Sequence, residues 1–269
     1  MTTHVPVLEI DNLHAKASIS LFGGQVLSFR PHSDGRERLF MASAARLDGK
    51  AAIRGGIPLC WPWFGSHNDD STLPAHGWLR KRLWQVREQI DSLDATLVIL
   101  QPQSTNGPGF DGIAEVELHI SVGQELRLDL FTRNIGTQAF SFTCALHSYF
   151  AVKDVRQVSL QGLQGQYRDK LQQWAVLETP APYHFSAATD RIHMDRPARL
   201  FIEEPGAFTP VSSAGHDSIV VWNPWQEGAS RLADMDAEDY VHMLCVETAL
   251  TEATELLPGH MHLLSQGIG

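Results

Sequence analysis

The strongest constraint in this chain is a hydrophobic repeat of two. In ELRLDLFTRN, Leu126, Leu128 and Leu130 alternate with Arg127 and Asp129, and AEVELHISV just before it alternates in the same way. A period of two puts every second side chain on one face of a pleated strand, so these runs predict two half-buried neighbouring strands. Gly123-Gln124 between them suits a tight hairpin turn. Further strands are predicted at 94–102, 139–152, 217–225 and 240–250, and AKASISLFGGQVLSFRP reads as two strands around Gly23-Gly24. Helical signal is confined to a short helix or turn at 229–240. A helical bundle and a doubly wound α/β fold are therefore disfavoured, and a large antiparallel β-sandwich fits best. No linker-like stretch divides the 269 residues, which predicts one domain over 1–269.

Charge and cysteine usage narrow the partners. The formal net charge of −10 argues against a general nucleic-acid binder, which would be basic. A small anionic substrate stays compatible, because a few arginines in a pocket outweigh distant surface acids by proximity. Cys60, Cys144 and Cys245 lie far apart in apolar surroundings with no CxxC pair. Buried reduced thiols and a cytoplasmic location are expected. The start, MTTHVPVLEIDNLHAK, lacks a basic segment followed by an apolar one, and no apolar run approaches the ~20 residues needed to span a bilayer. The expectation is a monomer that binds neither membrane nor nucleic acid.

The densest chemistry lies in RGGIPLCWPWFGSHNDDSTLPAHGWLR, residues 54–80, with two arginines, three tryptophans, four glycines and three prolines. Gly permits left-handed backbone and Pro fixes φ, so bulky and charged side chains can be held at set angles around a pocket. Arg54 and Arg80 are candidate anion contacts, able to grip a carboxylate or phosphate bidentately. For Arg80 a solvated basic turn with Lys81 and Arg82 stays open as the alternative. Gly77 would let the backbone beside His76 approach a ligand. Trp61, Trp63 and Trp78 are candidates for stacking on a ligand or for the core.

Two residues on predicted strands suit acid–base work. His147 shares a face with Ser141, Thr143, Ala145 and Tyr149, opposite the apolar Phe140, Phe142, Cys144 and Leu146. It is either a proton-transfer group or a structural histidine bonded to a neighbouring hydroxyl. Glu247 follows four residues that want burial, in MLCVE. A carboxylate there is costly unless paired or used, and desolvation raises its pKa toward that of a base working near neutrality. The alternative is an ion pair with an arginine. There is no HExxH, no Cys/His zinc spacing, no GxSxG and no phosphate-binding glycine loop; His260-Met-His262 alone is a weak metal signal. No metal or cofactor is expected.

In order along the chain, GGQVLSFRP, RGGIPLCWPWFG, PAHGWLR, ALHSYFAV, TDRIH, VVWNPW and MLCVETA resemble the aldose 1-epimerase superfamily, in its hexose-6-phosphate mutarotase branch. The resemblance covers roughly residues 18–260. It implies an all-β, galactose-mutarotase-like antiparallel β-supersandwich. It implies His147 as general acid and Glu247 as general base. Arg54, His76, Arg80 and Asp190 are implied as substrate-binding residues, the two arginines marking the phosphosugar branch. The implied reaction interconverts the anomers of a hexose 6-phosphate, glucose 6-phosphate first, with no metal, nucleotide or redox cofactor. A mutarotase for unphosphorylated aldoses and a non-catalytic sugar-binding β-sandwich are the alternatives.

Overall fold

The computed structural model describes residues 5–269. Three antiparallel sheets contain nearly all the regular structure. The smallest joins Val7–Asp11, Ala15–Ser20 and Gln25–Pro31. A nine-stranded sheet runs in the order Tyr183–His184, Ser159–Gln161, Arg199–Glu204, Ala207–Ala214, Met261–Ile268, Leu126–Asn134, Ala114–Val122, Thr96–Pro102 and Trp84–Asp91. An eight-stranded sheet runs in the order Ala175–Glu178, Gln166–Asp169, Thr189–His193, Ser218–Asn223, Met243–Leu256, Phe140–Leu146 and Leu59–Cys60, with Tyr149–Ala151 also paired to Met243–Leu256. The antiparallel β-sandwich expected from the period of two is what forms.

The alternating runs behave as the period demands. Ala114–Val122 and Leu126–Asn134 pair from Val122↔Leu126 to Ala114↔Asn134 across the Gly123 turn. Their buried faces, including Leu118, Ile120, Leu128 and Leu130, join Leu146, Ile219, Val221 and Val246 of the eight-stranded sheet in one apolar cluster. That cluster reaches from Ile10 to Ile268. The opposite face of the eight-stranded sheet carries a much smaller apolar bed: Cys60, Ala145, Ile192, Val220 and Ala249, with Phe64 against it. All three cysteines are buried and free, as expected. Among the described residues no helix is long and apolar enough to cross a membrane.

Three local expectations need correction. The run 139–152 is two strands, Phe140–Leu146 and Tyr149–Ala151, because His147 and Ser148 leave the ladder. The His147 N–H goes to the Pro58 carbonyl at 3.0 Å instead. The run 240–250 starts as a 3₁₀ turn, Asp239–His242, and its strand then extends from Met243 to Leu256. The only α-helix among the described residues is Trp225–Ser230, upstream of most of 229–240. Buried Asn223 explains the early start: its Oδ1 accepts the Trp225 N–H at 2.8 Å, and its Nδ2 donates to the carbonyls of Tyr240 and Met243.

One buried polar residue ties the two large sheets together. Gln266, on Met261–Ile268, is 0% exposed. Its Nε2 donates to the Val246 carbonyl at 3.2 Å and to Thr248 Oγ1 at 2.9 Å, while its Oε1 accepts from the Ser148 hydroxyl. A buried polar group that loses its partner costs about 1–3 kcal/mol. Gln266→Leu strands the Ser148 hydroxyl and the Val246 carbonyl together. Urea unfolding should therefore show a loss of at least about 2 kcal/mol with an unchanged m-value.

Candidate active site

The site stands on the small apolar face of the eight-stranded sheet. Leu146↔Thr248 and Tyr149↔Cys245 share one register, so His147 lies directly across from Glu247. Continuing outward, Glu247 pairs with Val220, Cys245 with Trp222, and Trp222 with Asp190. Alternation puts all these side chains on one face. His147 Nδ1 and Glu247 Oε1 are 3.4 Å apart, and both residues are buried. His147 Nδ1 and Glu247 Oε2 have no hydrogen-bond partner among the described residues. Two orphaned, buried, opposed polar atoms are ready to meet a ligand.

The 54–58 segment reaches this face through its glycines. Gly55 and Gly56 take φ of 117° and 58°. A Cβ on Gly56 would lie 2.2 Å from the Val26 carbonyl oxygen, so no other residue fits that passage. The Arg54 side chain then donates from Nε to Asp234 at 3.2 Å and from Nη1 to the Tyr149 hydroxyl at 3.0 Å. Burial works against the Arg54 charge, but Tyr149 and Asp234 outweigh it and hold the guanidinium above its ordinary pKa. The Tyr149 ring stacks under His147, 4.9 Å between centroids and 8° from parallel.

His76 approaches from the same irregular segment. It adopts left-handed backbone, φ 65°, followed by Gly77 at 64°. A Cβ on Gly77 would sit 2.0 Å from the Trp61 carbonyl oxygen. The Gly65 N–H donates to His76 Nδ1 at 3.2 Å, which leaves the imidazole proton on Nε2. Burial, then Arg80, Lys170 and Arg54, push the His76 pKa down to about 3, so the ring is a neutral donor.

Arg54, His76, His147, Asp190 and Glu247, five of the six residues expected at the site, line one pocket of about 160 Å³ with Phe64, Lys170, Val220 and Trp222. Arg80 does not line it. Its Nη2 donates to the Ala75 carbonyl at 2.8 Å, and its Nε is buried without a partner among the described residues. Trp61, Trp63 and Trp78 are buried in the main core, so the aromatic walls are Phe64 and Trp222. Lys170 was not foreseen. It sits on a turn with no motif around it, and its Nζ lies 3.1 Å from Asp190 Oδ1. The HxH signal at the C-terminus makes no site: His262 bonds the Gly215 carbonyl at 2.8 Å, and His260 precedes the strand.

The pocket's electrostatics follow from burial. Desolvation pushes the Glu247 carboxyl well above its ordinary value; Lys170 and Arg80 oppose this and Asp190 adds to it. Desolvation, with His76, Arg80 and Arg54, pushes His147 well below its ordinary value. An ionised Glu247 is therefore a stronger base than in water, and a protonated His147 a stronger acid. His147, Cys245 and Glu247 hold ligand atoms within 4.8 Å of one another, a spacing that a metal ion can use. Burial raises the Cys245 thiol well above its ordinary pKa, and Arg54 and Arg80 add positive charge, so the surroundings oppose a thiolate-bound cation.

The strand carrying Asp190 is anchored at its far end by His193, which is 0% exposed. Arg191 donates to Tyr183 Oη, whose hydroxyl donates to His193 Nε2. His193 Nδ1–H then donates to Thr179, whose hydroxyl reaches the Gln164 carbonyl. This relay needs a neutral imidazole. Burial, then Arg191, holds the His193 pKa at about 3. An unfolded histidine takes a proton near pH 6.5, so stability falls as pH drops from about 6.5 toward 3. Each pH unit in that window costs about 1.4 kcal/mol for one such group. In His193→Gln the gap between urea stabilities at pH 7 and pH 5 should shrink by about 2 kcal/mol.

Comparison with known proteins gives a consistent result. A family model described as aldose 1-epimerase matches residues 6–268. A "Putative glucose-6-phosphate 1-epimerase" of Cenchrus ciliaris is 33% identical over 252 residues, covering 88% of this chain and 75% of that protein. One of the same description from Escherichia coli K12 is 30% identical, covering 95% of this chain and 88% of that protein. The crystal structure of a putative mutarotase, YeaD, from Salmonella typhimurium superposes with a TM-score of 0.91 at 26% identity, covering 98% of this chain and 90% of the other.

Proposed function

The chain belongs to the aldose 1-epimerase family, and from that premise we propose that it interconverts the α and β anomers of a hexose 6-phosphate, glucose 6-phosphate first, with Glu247 as base and His147 as acid. The observation that carries this reading is the opposed, buried His147–Glu247 pair on the floor of a pocket lined by Arg54, His76, Asp190, Phe64 and Trp222. Glu247 removes the proton from the C1 hydroxyl while His147 gives one to the ring oxygen. The C1–O5 bond breaks and the C1–O1 bond becomes the carbonyl of the open aldehyde. Rotation about C1–C2 turns the other carbonyl face toward the former ring oxygen. His147 then takes back the C5 hydroxyl proton, Glu247 returns its proton to O1, and the ring closes. Protons and electrons balance within the sugar and the two residues, so the step calls for no external oxidant or reductant.

His76, with its proton on Nε2, is a donor for a ring or hydroxyl oxygen. Asp190 accepts from sugar hydroxyls. Trp222 and Phe64 offer apolar faces to the pyranose. Arg54 and Arg80 hold the 6-phosphate. The share of Arg54 taken by Asp234 and Tyr149, and the absence of Arg80 from the lining, favour a second reading in which unphosphorylated aldoses are the substrates.

General acid–base assistance contributes about 10²–10⁴-fold, so Glu247→Gln and His147→Ala should each lose at least about 10²-fold in kcat for anomer exchange. Exchange undiminished in both variants contradicts the assignment. A charge-assisted hydrogen bond contributes about 1.5–3 kcal/mol, so Arg80→Gln should raise KM for glucose 6-phosphate about ten- to hundredfold and leave that for glucose unchanged. Equal effects on both sugars support the second reading.

A further inference from the structure

Lys170 opens a three-residue 3₁₀ turn, Lys170–Gln172, after the strand Gln166–Asp169. Besides its 3.1 Å contact with Asp190, its Nζ lies 5.2 Å from the Phe64 ring centroid and 5.8 Å from that of Trp174. A carboxylate and two aromatic faces leave the ammonium group little freedom. The turn behind it is held in an uncommon shape. Gln173 and Trp174 both adopt left-handed backbone, φ 54° and 65°. Such residues cost about 1–3 kcal/mol each and persist only where their surroundings over-determine them. Asp169 does this here: its carboxylate accepts from Leu171 N–H at 2.9 Å and Gln172 Nε2 at 3.2 Å, and its carbonyl accepts from Trp174 N–H at 2.8 Å. Trp174 remains 55% exposed, so burial of its ring does not account for the strain. What the turn does secure is the position of Lys170.

That position bears on the proposed base. Many charged and titratable groups face Glu247. His147 and Cys245 flank it on the ladder, and Tyr149 and Cys60 come from the adjoining strands. His76, Arg80 and Arg54 come from the 54–80 segment, Asp190 from Thr189–His193, and Lys170 from its turn. Only two of these are carboxylates, Glu247 and Asp190, and both line the same 160 Å³ pocket. Two carboxylates sharing a site disfavour each other's ionised form.

We propose that Lys170 is a positioning residue: by pairing with Asp190 it cancels the pocket's second negative charge and leaves Glu247 free to carry its own. The proposal rests on the anomer-exchange reading above. Burial already raises Glu247, Asp190 adds to that, and Lys170 opposes it. Removing Lys170 raises Glu247 further, so the base becomes protonated at higher pH and the acid limb of kcat/KM moves upward.

The test is the pH profile of kcat/KM for glucose 6-phosphate anomer exchange in wild type, Lys170→Met, Lys170→Arg and Lys170→Met/Asp190→Asn. The acid limb should move up by about one pH unit or more in Lys170→Met and stay in place in Lys170→Arg. It should return toward wild type in the double variant, where both charges are gone. A ¹³C NMR titration of the Glu247 carboxyl reads the same shift without substrate, so it tests the proposal even if the exchange reaction itself fails. If Lys170→Met does not fold, Asp190→Asn alone should move the limb to lower pH. An unmoved limb and titration with kcat lowered equally at every pH overturns the proposal in favour of a structural role. A raised KM with kcat and limb unchanged overturns it in favour of a direct grip on the substrate's phosphate.

Discussion

The pairing at this site rests on a buried amide from the opposite sheet, which joins the β-ladder and the Ser213–Thr248 contact in holding two strands in register. Gln266 reaches across the sandwich and bonds Ser148, Val246 and Thr248. These are the residues next to His147 on one side and on both sides of Glu247. The ladder alone cannot fix His147, because its own N–H has left for the Pro58 carbonyl. A fully satisfied buried polar network resists both sliding and rotation. It can therefore hold an acid and a base opposite each other without any contact to their reacting atoms.

The rest of the pocket acts on the protonation of those two groups. Their pKa values move in opposite directions, in both cases chiefly through burial. Burial alone would leave a neutral and inert pair. At Glu247 the cations Lys170 and Arg80 offset it, whereas at His147 Arg80 and Arg54 add to it; Arg54 is fixed by Asp234 and Tyr149, and Lys170 is balanced by Asp190. Arg54 and Lys170 each have a carboxylate partner and Arg80 has a backbone carbonyl, so strong local fields surround the pair. Such preorganised charge suits a reaction whose charge moves between a hydroxyl, a ring oxygen and two side chains.

Much of this was legible in the sequence, because alternation reports which face a residue occupies. The run 139–149 put His147 on the face of Ala145 and Tyr149, and MLCVETA put Glu247 on that of Cys245. Both placements hold across the break at His147–Ser148, since the register is the same on either side of it. Gly55-Gly56 and His76-Gly77 announced a constrained backbone, and a Cβ on any of these three glycines would run into a backbone carbonyl oxygen. Gln266 and Lys170 were not legible. Gln266 looks like an ordinary polar residue on a half-buried strand until the second sheet is laid over it. Lys170 depends on a turn whose left-handed residues are not glycines, so the sequence carries no mark of it. The sequence left the tryptophans open between stacking and core for a related reason: large aromatics in an irregular segment fill the core as readily as they line a pocket, and here they fill the core.

The most direct test of the central claim is magnetisation-transfer NMR of the two anomers of glucose 6-phosphate at equilibrium, with catalytic amounts of the protein and glucose as the parallel sample. The account predicts that exchange between the anomeric C1–H signals of glucose 6-phosphate accelerates in proportion to protein concentration, well beyond any effect on glucose. Exchange of glucose 6-phosphate at its spontaneous rate, with the sugar still bound, would contradict it and leave a binding protein in place of a mutarotase.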